Sequence, residues 1–376
     1  MRWSFKLLEI AGIGIFVHWT FLILIGWIVL AHVSAGDNAA VIAEGVGFVL
    51  ALFGCVVLHE LGHALTARRF GVKTRDITLL PIGGVARLER IPEVPFQEFL
   101  VTIAGPAVNV VIAGCLFAVL TLLGTLGRIS QLHVVGGSFL TKLMWVNVAL
   151  VVFNMLPAFP MDGGRVLRAL LATRMPRVKA THIAASVGQA IAILFAIVGL
   201  MIPGMFMLLF IAMFVYLGAQ GEAQAAQIRE VFRGARVRDA MVRRFLTLSP
   251  SDPLQLATQQ MAAGHQKDFP VADGQQVAGI LLHRDVVQAL AEGRANARVA
   301  DVLCNRCPTV GVNDPLDRAV DQMQAAGCSA LLVAQDGELV GMLTSEHLGD
   351  WMMLHSAWHD RPVESAVPAA ALLRHD

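Results

Sequence analysis

Residues 56–64 read Val56-Val57-Leu58-His59-Glu60-Leu61-Gly62-His63-Ala64 and close an apolar stretch that begins near Val41. A membrane-spanning helix needs about 20 mostly apolar residues, so this stretch is long enough to cross a bilayer. On a helix, positions i and i+4 share one face. His59 and His63 can therefore grip one Zn2+ through imidazole nitrogens, with Glu60 beside the metal's water. Zinc lowers the pKa of such a water toward about 7, where a carboxylate can take its proton. Two imidazoles and a carboxylate near hydrocarbon are expensive and need a purpose.

Working outward, six apolar stretches precede residue 220: Ile13–Val33, Val41–Ala64, Leu100–Leu126, Leu143–Phe159, Ile183–Met201 and Gly204–Gly218. The last two are separated by Pro203-Gly204, a turn signal that makes them a helical hairpin. The first is too long for a cleavable signal and lacks an A-x-A-like site after it. The expected fold is a polytopic α-helical membrane domain of six transmembrane helices, over 1–220, followed by soluble α/β structure. Hydrophobic residues are 56% of the chain and charged residues 15%, which excludes a disordered chain, a coiled coil and an ordinary cytosolic enzyme. Five cysteines exclude a disulfide scaffold.

Charge divides the chain. Residues 1–220 hold 15 Lys+Arg and 9 Asp+Glu, whereas 221–376 hold 14 and 19. Thirteen of the first 15 positive charges fall on alternate loops. Positively charged loops stay cytoplasmic, so the reading is a multi-pass protein of the cell inner (plasma) membrane with both termini cytoplasmic. No basic patch with interleaved aromatics points to nucleic acid.

Zinc with one open position needs a third protein ligand. The fourth stretch leads into Asn154-Met-Leu-Pro157-Ala-Phe-Pro160-Met-Asp162-Gly163-Gly164-Arg165. Helices two and four both run outside to inside, so His59, His63 and Asp162 come out at the same depth. As an alternative, Asp162 caps the helix that follows it.

Residues 221–236 read as a helical linker. Beyond it a β-α-β-β-α pattern occurs twice, about 60 residues apart, which marks an internal duplication. One copy runs from Val237-Arg-Asp-Ala-Met241 through Val277-Ala-Gly-Ile-Leu-Leu282. The other runs from Val299-Ala-Asp-Val-Leu303 through Leu339-Val-Gly-Met-Leu-Thr344. The region 237–352 (copies at 237–292 and 299–352) resembles a tandem pair of CBS domains, with a tail at 353–376. Placed after the sixth helix, the pair is cytoplasmic.

H-E-L-G-H in helix two together with N-x-x-P-x-x-P-x-D-G-G in helix four resembles the site-2 protease family of intramembrane zinc metalloproteases, in the bacterial and archaeal branch that ends in CBS domains. The resemblance implies one zinc per chain, with His59, His63 and Asp162 as ligands and Glu60 as catalytic base. It places Asn154 near the scissile peptide, where its amide holds a carbonyl. It implies an endopeptidase acting on single-pass membrane proteins in the bilayer, within regulated intramembrane proteolysis.

Thr74–Leu88 reads as strand-like with Gly83 and Gly84 near its centre, a re-entrant hairpin whose edge can take an unwound substrate as an added strand. Gly105-Pro106-Ala-Val-Asn109 resembles another signature of the family, and Asn109 is expected to bond across helices. Arg165 and Arg168 read as anchors at the membrane edge. Cys304-Asn-Arg-Cys307 has C-x-x-C spacing but no second pair, which argues against a zinc knuckle. CBS domains that bind adenosine nucleotides use G-x-x-[TS]-x-x-D. The first copy has Asp285 but Leu282 in the hydroxyl position; the second has Thr344 but His347 in the carboxylate position. Each is half a match, so nucleotide binding and homodimerisation through the CBS pair stand as alternatives. For the whole chain the rival readings are a CBS-regulated transporter or channel and a zinc-binding inactive scaffold.

Overall fold

The computed structural model describes residues 3–81, 83–88, 92, 94–124, 138–264, 266–274 and 276–359. Arg2, Arg90, Arg128, the expected end of the third stretch at Leu126 and the tail from 360 lie outside them. The chain divides into two compact units, residues 1–226 and 227–376.

The first unit opens with a β-hairpin that the sequence reading does not contain. Strands β1 (Ser4–Ile10) and β2 (Ile13–His18) pair antiparallel across Ala11-Gly12. Both turn residues have positive φ, 53° and 79°, as a two-residue hairpin turn that follows strand twist requires. Consequently the first apolar stretch is not one helix: its first residues are strand, and helix α1 covers only Thr20–Ser34. A short apolar run cannot be assigned to strand or helix by periodicity alone.

Helix α2 (Ala39–Arg69) starts under an N-cap, the Asn38 side chain accepting from Val41 N at 3.0 Å. Arg68 and Arg69 sit in its last turn, where cations suit the helix dipole. Strands β3 (Thr74–Leu80) and β4 (Gly83–Leu88) form the expected hairpin. β2 joins β3 in parallel, giving one four-stranded sheet in the order β1-β2-β3-β4. Its inner residues Ile13 and Ile77 are buried against Leu61 and Ala64 of α2, in the same turns that carry the histidines.

Helix α3 (Pro95–Leu122) begins with proline, whose missing N–H is harmless there. Helix α4 (Phe139–Asn154) leads through Met155–Met161, with a cis Phe159-Pro160 bond, into the short α5 (Asp162–Leu171). α6 (Arg177–Met201) and α7 (Met207–Phe232) are the hairpin about Pro203-Gly204, and α7 continues into the expected linker as far as Phe232. α2, α3, α6 and α7 are long and apolar enough to cross a membrane; α1 and α4 are shorter apolar helices. Large apolar side chains stand outward along this unit, among them Leu22, Trp27, Leu122, Leu200 and Met207.

The second unit holds two related halves. α8 (Val237–Ala240), α9 (Leu254–Ala262), β5 (Phe269–Asp273), β6 (Gln276–Leu281) and α10 (His283–Ala291) form the first. A 3-10 turn at Val299–Asp301, β7 (Thr309–Gly311), α11 (Leu316–Ala326), β8 (Ala330–Gln335), β9 (Glu338–Thr344) and α12 (Ser345–His359) form the second. Each half completes the other's sheet: Val242 pairs with Met342 on β9, and Cys304 pairs with Ile280 on β6. α12 carries the chain past the expected end of the pair at 352.

Candidate metal centre

His59 and His63 lie one turn apart on α2 and are buried, 7% and 8% exposed. Asp162 is the first residue of α5 and 9% exposed. The N-cap position of α5 is taken by Met161, and the Asp162 side chain points to the histidines. His59 Nε2 and His63 Nε2 are 3.1 Å apart, and each is 3.2 Å from Asp162 Oδ2. Tetrahedral ligation at bond lengths of about 2.0–2.1 Å separates donor atoms by about 3.3 Å, so the triangle has the size zinc requires.

The protonation pattern follows from the partners. His63 Nδ1 faces the Val101 carbonyl at 2.7 Å, which can only accept, so His63 carries its hydrogen on Nδ1. The same logic reaches His59 through two amides. Asn147 Nδ2 donates to the Leu143 carbonyl at 2.8 Å, which leaves Asn147 Oδ1 to accept from Asn109 Nδ2 at 2.8 Å. Asn109 Oδ1 is then the acceptor for His59 Nδ1. With both imidazoles neutral, as metal ligation requires, both Nε2 atoms aim lone pairs at one point, together with a carboxylate oxygen. Three converging lone-pair donors repel one another unless a cation lies between them, and hydrogen bonds of this kind on the far nitrogen orient metal-binding histidines.

Glycines create the space. A Cβ on Gly105 of α3 would stand 2.2 Å from His63 Nε2 and 2.8 Å from His59 Nε2. Gly62 lets α2 and α3 approach, since a Cβ there would meet Ala104 O at 2.8 Å. A Cβ on Gly163 would come within 2.2 Å of Leu156 O, so Gly163-Gly164 lets the first turn of α5 tuck under the preceding loop.

Glu60 is half-buried and lines a cavity of about 40 Å3 with His63, Glu98, Thr102 and Arg165. Gly84 of β4 lies against it: a Cβ would be 2.9 Å from Glu60 Cγ. Gly83 has φ of +137°, a conformation that favours glycine. β4 is the sheet's outer strand among the described residues, and Gly84 sets its backbone beside Glu60. Asn154 ends α4, half-buried, and among the described residues its side chain has no hydrogen-bond partner.

Two features were not legible in the sequence. Asn147 is wholly buried and completes the amide relay, yet it resembles any polar residue in an apolar stretch. Arg168 is not a membrane-edge anchor. It is 3% exposed, donates from Nε to Glu98 Oε1 at 2.8 Å and from a terminal nitrogen to Glu222 Oε2 at 2.9 Å, and lies over the Phe159 ring. Arg177 reaches the other Glu98 oxygen at 3.0 Å. Four helices are tied together beside the centre. In the second unit, Asp285 is engaged by Arg284 at 3.4 Å and Arg306 at 3.7 Å, and Thr344 Oγ1 accepts from His347 N at 3.2 Å.

The family model for peptidase family M50 matches residues 47–195, and the CBS-domain model matches 237–292 and 299–353. A zinc metalloprotease of Methanocaldococcus jannaschii is 34% identical over 281 residues, 75% of this chain and 78% of that protein. Rip3 of Mycobacterium tuberculosis, provisionally named a zinc metalloprotease, is 28% identical over 392 residues, 99% and 98% of the two chains. The solved site-2 protease from M. jannaschii is 38% identical and covers 59% of this chain and 95% of its own, with a TM-score of 0.43. A donor set suited to zinc and a third of the sequence shared with a zinc metalloprotease along most of both lengths lead to one conclusion: the chain belongs to the M50, or site-2 protease, family of zinc metalloproteases and carries a CBS pair.

Proposed function

We propose that this protein is an intramembrane endopeptidase that cuts within or next to transmembrane segments of membrane-tethered regulatory proteins. His59, His63 and Asp162 hold the zinc, leaving one position open. Zinc supplies a Lewis acid there, lowering the pKa of water and stabilising the developing oxyanion. Glu60 takes the proton from the attacking water and passes it to the leaving amine. Asn154, whose side chain has no hydrogen-bond partner among the described residues, holds a peptide carbonyl. The edge of β4 at Gly83 and Gly84 pairs with the substrate as an unwound strand, bringing its backbone beside Glu60.

The six apolar helices make six crossings, α1 and α4 thinning the bilayer locally or lying partly across it. Both termini and the CBS pair face the cytoplasm, following the Lys and Arg of alternate loops. The CBS pair regulates cleavage, by an adenosine ligand at the Asp285 and Thr344 half-sites or by dimerisation.

The observation that carries this reading is the convergence of three lone-pair donors beneath Gly105 with Glu60 alongside. The test is zinc content and cleavage measured together on detergent-purified wild type and Glu60→Gln, against a panel of single-pass test segments. About one zinc in each protein at this centre, with a loss of cleavage of at least about 100-fold in the variant, supports the role of Glu60. A wild type without zinc under zinc-replete conditions overturns the ligand assignment. Ion flux that survives in Glu60→Gln, with no cleavage by either protein, moves transport to the front.

A further inference from the structure

The C-x-x-C pair Cys304 and Cys307 lacks a second pair in the sequence, but the fold supplies a third sulfur. Cys328 follows the left-handed Gly327 that ends α11, and its backbone N–H is held by Met323 O at 3.0 Å. Cys304 pairs with Ile280 on the edge of β6. The three sulfurs lie within 4.8 Å of one another. Cys304 Sγ is 3.5 Å from Cys307 Sγ, and Cys307 is joined to Cys328 by a disulfide. Cys304 and Cys328 are buried and Cys307 is half-buried.

We propose that, once the disulfide is reduced, Cys304, Cys307 and Cys328 form a second metal site, a three-thiolate site for a zinc-class ion. The arrangement is a triangle. Thiolates bound tetrahedrally at about 2.3 Å stand about 3.8 Å apart, close to the Cys304–Cys307 separation and within the spread of all three. Thiol–disulfide exchange instead wants the attacking sulfur in line with the bond it breaks, and three sulfurs this mutually close do not make a line. Opening the disulfide takes two electrons and two protons: a dithiol gives both and closes to its own disulfide, whereas a phosphine gives the electrons and becomes the phosphine oxide, with water supplying the oxygen and the protons. The ion then displaces protons as the sulfurs bind as thiolates. Three protein ligands leave the fourth position to water or an exogenous group.

The site lies at the seam of the two halves. Cys304 is on the strand edge of the first, and Cys307 and Cys328 flank β7 and α11 of the second. Arg284 of α10 donates to the Gly327 carbonyl beside Cys328. An ion there pins α11 of the second half to β6 of the first, so its loading and its oxidation are mutually exclusive states of the CBS pair.

Cd2+ is the probe, because thiolate-to-cadmium charge transfer absorbs in the ultraviolet and a His/Asp centre does not contribute to it. The full-length detergent-solubilised protein is titrated after phosphine reduction and again after reoxidation. The expected result is one charge-transfer equivalent per chain in the reduced protein, none in the oxidised protein, and a loss of affinity of at least 10-fold in both Cys304→Ser and Cys328→Ser. Cys55→Ser, outside the cluster, retains the signal and serves as the folding control. No thiolate signal in the reduced wild type, or a signal unchanged in Cys304→Ser, overturns the proposal. A reduced protein that gives no charge-transfer signal yet reoxidises to a Cys304–Cys307 disulfide also overturns it, in favour of a purely redox role.

Discussion

Among the described residues between 1 and 226 the buried polar and charged side chains are His59, His63, Thr78, Glu98, Thr102, Asn109, Asn147, Asp162, Arg168 and Thr181; among those beyond 226, Asp268 is the one buried polar or charged side chain. The outer surfaces differ in the opposite sense. The first unit turns Trp27, Leu122 and Leu200 outward at 67–87% exposure, whereas the second encloses an apolar core of Leu254, Phe269, Leu281, Leu331 and their neighbours. The second unit follows the rule for water: apolar burial drives folding and buried polar groups are few. The first unit follows the rule for lipid. An apolar outer face costs nothing there, and a polar group inside is retained for what it does. Buried polarity is consequently a map of function in the first unit, and in the second it is a tie between halves: Asp268 Oδ1 accepts from His283 N at 2.9 Å and from Ser329 Oγ at 3.1 Å.

The strongest way to break this contrast is to fill the polar centre with a methyl group. Gly105→Ala puts a Cβ against both Nε2 atoms. Its expected outcome is loss of the zinc at this centre, from about one per chain to near none, and loss of cleavage with helix content intact, read by metal analysis and circular dichroism. Next is the charge network. Arg168→Met removes one of the two arginines paired with Glu98, which is 1% exposed. Breaking one side of a buried ion pair costs about 3–5 kcal/mol, measurable as a lowered unfolding midpoint in detergent.

The relay comes third. Asn109→Ala deprives His59 Nδ1 of its acceptor. Loss of such a supporting bond lowers metal affinity by about 10–100-fold, so competition with a graded chelator shows weaker zinc retention while the fold persists. The smallest effect belongs to the second unit. Asp268→Ala leaves Ser329 Oγ and His283 N without their shared acceptor and costs about 1–3 kcal/mol. Calorimetry then finds a lowered transition for the CBS pair, with zinc content at the histidine centre unchanged. If Asn109→Ala and Asp268→Ala lower zinc retention equally, the functional reading of buried polarity fails.

Much of the centre was legible because its signals are local. His59 and His63 occupy successive turns of one helix, so their spacing alone places them on one face, with Glu60 next to His59. The depth match with Asp162 follows from charges on loops, which the membrane reads independently of packing. The hairpin at residues 74–88 was announced by its glycines. The β1-β2 hairpin was hidden because only His18-Trp19-Thr20 separates the apolar Ile13–Val17 run from the apolar helix that follows. Pairing with β1 on one side and β3 on the other makes it a strand.

Helical spacing, loop charge and the 60-residue repeat thus determined the membrane unit, its histidine pair and the CBS duplication, because each depends on neighbours along the chain. Tertiary structure alone decided the Asn109–Asn147 relay, the burial of Arg168 and the meeting of Cys328 with Cys304 and Cys307. Each joins residues from separate elements, and such a contact exists only after those elements have packed. Nothing in the identity of one partner, an asparagine, an arginine or a cysteine, specifies which distant partner it will meet.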